Sequence, residues 1–316
     1  MKLTEAPARI RSFQVPYVLD REGLLGVAML LPAVVYIVAL VGFPLVLAIV
    51  YSLSDVTIGN QTIDFVGFRN FDAVIHDATF QKALKNTFII TVVSQALVLV
   101  LAKILALALS ADFRGKAIVR FLILLPWTTP IALGAIGWLW MLDSTFSPID
   151  WVLREVHLLG PGTLLGPDRN LVWLGRPNLA MASVIMVHTW RLLPLATVIM
   201  LAGLASIPQD IRDAAAVDGA GFWRQLFQIT IPLMYPIMAI AVLFGIVFTF
   251  TDMTVVYILT RGGPVDSTQV LASWAFYKGI QGGDLAQGAA IALFLFPVLV
   301  GVAVLMLIFA RRREIA

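Results

Sequence analysis

Two stretches of this chain place hydrogen-bonding and ionisable side chains inside runs that are otherwise apolar. One is His188-Thr189-Trp190-Arg191-Leu192-Leu193-Pro194; the other is Phe248-Thr249-Phe250-Thr251-Asp252-Met253. An arginine within an apolar span is expensive unless it pairs or faces water. Asp252 is the only acid deep in its own run, which makes it the obvious partner for Arg191. Two chemistries fit the pair. Arg191 donates to the hydroxyls of a polar solute or neutralises an acidic substituent, while Asp252 accepts from hydroxyls or fixes Arg191. In the other reading the pair is a salt bridge that holds helices together. Trp190 offers a flat apolar face on which a sugar ring can stack. His188 belongs either to the same site or to a hydrogen-bonded core. Lys103 lies about two turns inside a third run, and its stem is long enough to snorkel to the headgroups.

Covalent chemistry finds no support. The chain has no cysteine, so thiolate metal sites and cysteine nucleophiles are excluded. His76, His157 and His188 are scattered along the sequence. Neither a phosphate-binding P-loop nor a nucleophile elbow is present. No catalytic or metal-binding residues are assigned, and any energy source must lie in a partner.

The elements that carry these residues follow from hydropathy. Of 316 residues, 60% are hydrophobic and 13% are charged. Six runs reach the ~20 apolar residues that a spanning helix needs: 24–53, 86–110, 117–142, 179–205, 233–259 and 285–310. Backbone polar groups in lipid must be satisfied within the segment, which predicts helices and an all-α polytopic membrane protein. Pro32 and Pro44 are expected to kink the first run and Pro297 the last. In Pro126-Trp127-Thr128-Thr129-Pro130 two prolines are expected to break the third. Gly288 is suited to close helix packing. The segments 54–85, 143–178 and 265–284 read as outside loops, with Trp274, Phe276 and Tyr277 as interfacial anchors. With the N-terminus inside, Lys and Arg are about twice as dense on the cytoplasmic side. Both termini are then cytoplasmic in a multi-pass protein of the inner, cytoplasmic membrane, with residues 1–23 as a lead-in and 311–316 as a tail. The net charge of +3 reports this topology and not a nucleic-acid partner.

One polar interruption differs from the rest. Residues 206–232, SIPQDIRDAAAVDGAGFWRQLFQITIP, lie between two apolar runs on the predicted cytoplasmic side. Pro208 suits a first helical turn, with Ser206 or Ile207 at the cap. Asp210 and Asp213 complement the helix dipole, and Ala214, Ala215 and Ala216 favour helix and leave a low-relief surface. Gly219 after Asp218 permits a sharp turn. A second short helix, 222–229, is expected to lead to the breaker Pro232. The physical reading is a helix-turn-helix at a membrane face that another protein can approach closely.

These residues also carry a family resemblance. Asp213-Ala214-Ala215, Asp218-Gly219-Ala220, Phe227, Ile229 and Pro232 resemble the EAA loop of ABC importer permeases, with Asp213 where glutamate is usual. Leu259-Thr260-Arg261-Gly262-Gly263-Pro264 is similar to a signature of maltose-type permeases, and Asn86-Thr87 to the entry of their transmembrane core. The resemblance covers roughly residues 80–310 and implies a type I (MetI-like) fold with one permease domain over 86–310. It implies that 206–232 is a coupling helix for a cytoplasmic ATPase, contacted through Arg212, Asp213, Ala214, Ala215, Asp218, Gly219, Ala220 and Phe222. It further implies a second homologous permease, two ATP-binding subunits carrying ATP and Mg, and an extracytoplasmic binding protein that delivers a carbohydrate. By this resemblance Trp190, Arg191, Phe248, Thr249 and Asp252 fall on positions that line or adjoin the sugar site. The family often has amides where this chain has Thr249 and Asp252. The readings left beside it are a permease for another solute such as glycerol phosphate, a sulfonated sugar or an amino acid, an ion-coupled transporter, and a membrane scaffold.

Overall fold

The computed structural model describes residues 22–314, so most of the lead-in expected over 1–23 lies outside them. The chain divides into two compact units, Met1–Ala48 and Ile49–Ala316. The first holds α1 (Glu22–Ile37) and a π turn at Val38–Gly42, after which α2 (Phe43–Ser52) follows. The Phe43 N–H reaches back to the Val38 carbonyl. That wider turn stands where the Pro44 ring would press on the carbonyl four residues earlier. Pro32 sits within α1 without ending it.

In the second unit the expected outside segment 54–85 is partly regular. Strands β1 (Ser54–Asp55) and β2 (Asp64–Phe65) pair antiparallel, with Ser54 opposite Phe65, and α3 (Arg69–Ile75) follows. Helix α4 (Ala78–Ser110) starts eight residues before the apolar run does. The Asp77 carboxylate caps it by accepting from the Thr79 and Phe80 N–H groups. Hydropathy marks the slab in which a helix lies, whereas a cap sets where the helix starts.

The third run is broken. Helices α5 (Lys116–Thr128) and α6 (Ile131–Met141) are bent by 100° at Thr129-Pro130. Only Pro130 makes the break: Thr129 before it is extended, as a residue preceding proline prefers, whereas Pro126 stays inside α5. Beyond α7 (Pro148–Glu155), the Asp150 carboxylate gathers the long loop before the next helix by accepting from the Leu171 N–H and the Trp173 indole, both at 2.9 Å. Helix α8 (Pro177–Ala205) passes through Pro194 unbroken.

The polar interruption holds α9 (Gln209–Val217) and α10 (Phe222–Gln225). Here the expectation for Pro232 fails. Helix α10 passes through a π turn, Leu226–Thr230, straight into α11 (Ile231–Thr251), giving one helical run over Phe222–Thr251. The Ile231 N–H bonds the Leu226 carbonyl, and the widened turn takes up the proline ring. The fifth run instead breaks at Asp252-Met253, before α12 (Thr254–Leu259). A further helix, α13 (Leu271–Phe276), and a π turn at Tyr277–Gln281 lead to α14 (Leu285–Leu293) and α15 (Leu295–Glu314). The interruption at Phe294 follows the carbonyl of Leu293, which the ring of Pro297 crowds. Among the described residues five helices are long and apolar enough to cross a membrane, and the bent pair brings the number to six if it is one crossing.

Helices α4, α8 and α11 pack through small residues. Val98, Ala102 and Ala106 meet Leu192, Ala196 and Met200, with Met234 and Ala241 closing the cluster. Small side chains let backbones approach where lipid offers no hydrophobic drive between helices. Gly288 follows the same rule: a Cβ there would run into the Gly279 backbone. At the other end, Val184, Val187, Val255 and Val256 form a second cluster with Ile90 and Leu142.

Two of the sequence motifs, Asn86-Thr87 and the segment around Gly262-Gly263-Pro264, prove to be one structure. The Asn86 amide donates to the carbonyls of Ser267 and Gln269 at 3.0 Å, and the Thr87 hydroxyl accepts from the Leu271 N–H at 2.9 Å. The loop they hold contains the Gly-Gly-Pro turn, in which Gly262 has φ +87° and its missing side chain makes room for Gln269. Asn86→Ala removes the two 3.0 Å bonds, each worth about 1 kcal/mol, and a longer one of 3.4 Å to the Asp266 carbonyl. A melting point lower by about 4–8 °C is expected for a domain of this size. Thermal unfolding of the purified protein checks this, and an unchanged midpoint would show that the motif is not a brace.

Candidate functional site

Arg191 projects from the middle of α8, and Asp252 sits in the gap between α11 and α12. The break in the fifth run brings the two together. An Arg191 guanidinium N–H donates to Asp252 Oδ2 at 2.9 Å. The other oxygen accepts from the Thr254 N–H at 2.9 Å, which restarts the helix as α12. His188, one turn before Arg191, places Nε2 3.6 Å from the same Oδ2. The carboxylate is thus anchored by backbone at one oxygen and shared by two side chains at the other. Burial is graded: the His188 side chain is 2% exposed, Asp252 10% and Arg191 20%. A guanidinium has five N–H donors, so Arg191 keeps donors beyond the one spent on Asp252.

Trp190 and Phe248 are half-buried, the first one residue before Arg191 and the second four residues before Asp252. The Trp190 ring meets Trp138 of α6 edge-on at 5.6 Å and lies over Gly134. Phe248 meets Trp127 of α5 edge-on at 5.6 Å and stacks on Phe244. The bent α5–α6 pair therefore supplies an aromatic partner to each of α8 and α11. Thr249 points elsewhere. It is buried, and its hydroxyl accepts from Gln95 of α4 at 3.2 Å.

Gln95 is the residue that sequence reasoning missed. It is buried between α4 and α11, and its side-chain oxygen has no hydrogen-bond partner. A Cβ on Gly245 would overlap its amide, so Gly245 is the gap that admits it. A lone amide in an apolar run was the available signal. Thr91, Ser183 and Thr189 also bury hydroxyls without a partner, and His188 Nδ1 does the same.

The residues of the polar interruption divide between two faces. Asp213, Ala214, Asp218, Gly219 and Phe222 are exposed, and Ala220 is half-buried. Ala215 turns inward and is buried. The Arg212 guanidinium donates to the Leu204 carbonyl at the end of α8, where a cation complements the dipole. Gly219, at φ +68°, makes the turn between α9 and α10. Asp213 accepts from Gln209 at 2.9 Å. Trp223 was not foreseen: it is exposed and stacked on Phe227, with centroids 6.0 Å apart. With Phe222, which meets Trp223 edge-on at 5.2 Å, these rings form an exposed aromatic patch, and Val217 at the end of α9 is exposed as well. No group of His, Cys, Asp or Glu among the described residues could hold a metal ion.

Comparison with known proteins accords with this geometry. Residues 98–315 match the family described as the binding-protein-dependent transport system inner membrane component. A trehalose/maltose transport system permease protein of Thermococcus litoralis is 30% identical over 93% of this chain and 96% of its own. A sulfoquinovosyl glycerol transport system permease protein of Agrobacterium fabrum is 28% identical over 87% of this chain and 86% of its own. In fold, the chain is similar to a crystal structure of a bacterial ABC transporter involved in import of the acidic polysaccharide alginate. The TM-score is 0.76 at 20% identity, covering 93% of this chain and 97% of that one. The chain belongs to the binding-protein-dependent transport system inner membrane component family, the permease subunits of ABC importers.

Proposed function

We propose that this permease passes a neutral sugar or sugar derivative across the cytoplasmic membrane by alternating access. The observation that carries the substrate class is the Arg191–Asp252 pair flanked by Trp190 and Phe248. Paired charges present donors and acceptors to hydroxyl groups, and half-buried rings present a face to the sugar ring. Because Asp252 already takes up the charge of Arg191, the pair as a whole is neutral, which disfavours an anionic solute. Relatives named for trehalose and maltose, diacetylchitobiose, and maltodextrin uptake support a carbohydrate, as does the one named for sulfoquinovosyl glycerol, a sulfonated sugar; the neutrality of the solute rests on the ion pair. In this reading Trp190, Arg191, Phe248 and Asp252 touch the solute. His188 and Thr249 support them from behind, Thr249 through Gln95.

The assembly includes a second permease, two ATP-binding subunits that hold ATP and Mg, and an extracytoplasmic binding protein. Both termini and the Gln209–Gln225 segment lie on the cytoplasmic side. The exposed face of α9, with Phe222 and Trp223, docks on an ATPase subunit, and Arg212 ties that segment to the end of α8. Closure of the ATPase pair then moves α10 and α11 as one rod, because no break separates them.

The test is ATP hydrolysis by the complex that co-purifies with this chain, in lipid, with binding protein and a panel of neutral sugars and sugar phosphates. Stimulation by a neutral sugar is expected. Stimulation by anionic ligands alone would overturn the substrate class, and absence of any co-purifying ATPase would overturn the assembly.

A further inference from the structure

Three cationic side chains converge where α5, α8 and α9 meet. Lys116 and Arg120 of α5 and Arg212 of α9 line one cavity of about 510 Å³, together with Ser110 at the end of α4. The charges there are poorly neutralised. Arg120 donates to the Leu109 carbonyl at 3.5 Å and Arg212 to the Leu204 carbonyl. Neither guanidinium has a carboxylate within ion-pairing distance among the described residues. Lys116 carries Asp112 at 3.2 Å, but that carboxylate is fully exposed, and such surface pairs are worth little.

The opposite wall is apolar, formed by Val198 and Leu201 of α8. Arg120, Val198 and Leu201 also line a second cavity, of about 120 Å³, whose other walls include Ile123 and Leu124. These residues lie farther along α5 than Lys116 and Arg120, toward its membrane-embedded part. The space therefore starts among cations at the ends of the spans and continues as an apolar groove between α5 and α8. A free anion would use the first part only. A molecule with an anionic head and an acyl tail would use both, and basic pockets between transmembrane helices are where such headgroups bind.

We propose that this pocket holds one anionic phospholipid, its phosphate among Lys116, Arg120 and Arg212 and one acyl chain along Val198, Leu201 and Leu124. The leaflet, cytoplasmic, rests on the orientation proposed above; the pocket itself does not.

The test uses the full chain with whatever subunits co-purify, in neutral detergent and without sugar, so its outcome is independent of the substrate reading. Dioleoyl phosphatidylglycerol is added, and retained lipid is counted by native mass spectrometry alongside thermal unfolding. Expected are retained phosphatidylglycerol and a midpoint raised by about 3 °C. Arg120→Gln and, separately, Lys116→Gln should each weaken retention about fivefold, the loss of one cation near a headgroup. If Arg120→Gln does not assemble, Lys116→Gln carries the test, since its side chain bonds only the exposed Asp112. An equal shift with dioleoyl phosphatidylcholine would overturn the proposal, as would one with inorganic phosphate or glycerol 3-phosphate, which would make it a free-anion site. Unchanged retention in both variants would also overturn it. So would loss of the partner permease from Arg120→Gln with lipid retention intact, because the cavity would then be a subunit contact.

Discussion

Asp252→Asn should lower solute uptake by at least about tenfold while leaving the subunit inserted and its partners bound. The amide keeps the shape and can still accept from the Thr254 N–H, which stands 2.9 Å from Oδ1. It no longer balances the Arg191 guanidinium, and the site gains a net positive charge. An interhelical polar contact within a membrane is worth on the order of 1–2 kcal/mol at most. That is too little to dismantle three packed helices, but about tenfold in rate for each 1.4 kcal/mol when it falls on the step that moves solute. Uptake of a radiolabelled sugar and recovery of the ATPase subunits are the two readouts. The double variant Arg191→Gln/Asp252→Asn discriminates further. Restored uptake in the double variant would show that the pair serves only to cancel charge. Continued loss is expected, because Arg191 supplies donors to the solute in the proposed role. A complex that falls apart in the single variant would make the pair a structural clamp.

Gly219→Pro should abolish sugar-stimulated ATP hydrolysis in an inserted complex. Gly219 has φ +68°, and proline is held near −65°, so the turn between α9 and α10 cannot form as observed. The substitution also removes the N–H that Gly219 donates to the Ala216 carbonyl. Gly219→Ala provides the graded control. It keeps the N–H and pays only the left-handed penalty of roughly 1–2 kcal/mol, so partial coupling is expected. Basal hydrolysis that no longer responds to sugar is the result anticipated for the proline variant. Normal stimulation in it would remove the coupling role proposed for this turn. The effect should propagate because α10 runs without a break into α11, and α11 ends at Thr251, directly before Asp252. The loop and the candidate solute site are the two ends of one helical run.

Much of this molecule could be read without a fold. A run of apolar residues long enough to cross a lipid slab has to be helical, because backbone groups find no other partner there. The spans, the polar interruption and the turn at Gly219 follow from that rule and from local propensity. So does the pairing of Arg191 with Asp252, since neither charge is tolerable alone. Local rules misjudged the prolines. Pro232 was expected to stop a helix and Pro126 to help break one, but a π turn absorbs the first and α5 runs through the second. Whether a proline ends a helix depends on whether the preceding carbonyl can move aside, and that is a matter of packing.

Tertiary structure alone decided which side chains meet. Asn86 and the segment that follows the Gly-Gly-Pro turn lie about 180 residues apart in sequence, yet share hydrogen bonds. Thr249, expected to line or adjoin the sugar site, is hydrogen-bonded to Gln95, because Gly245 lets α4 close on α11 at that point. Arg212 and Ala215 belong to the polar loop by sequence, but one binds the end of α8 and the other is buried. Residue type determines what a side chain is able to do. The angles at which helices cross, and the small residues that let them approach, determine what it finds there.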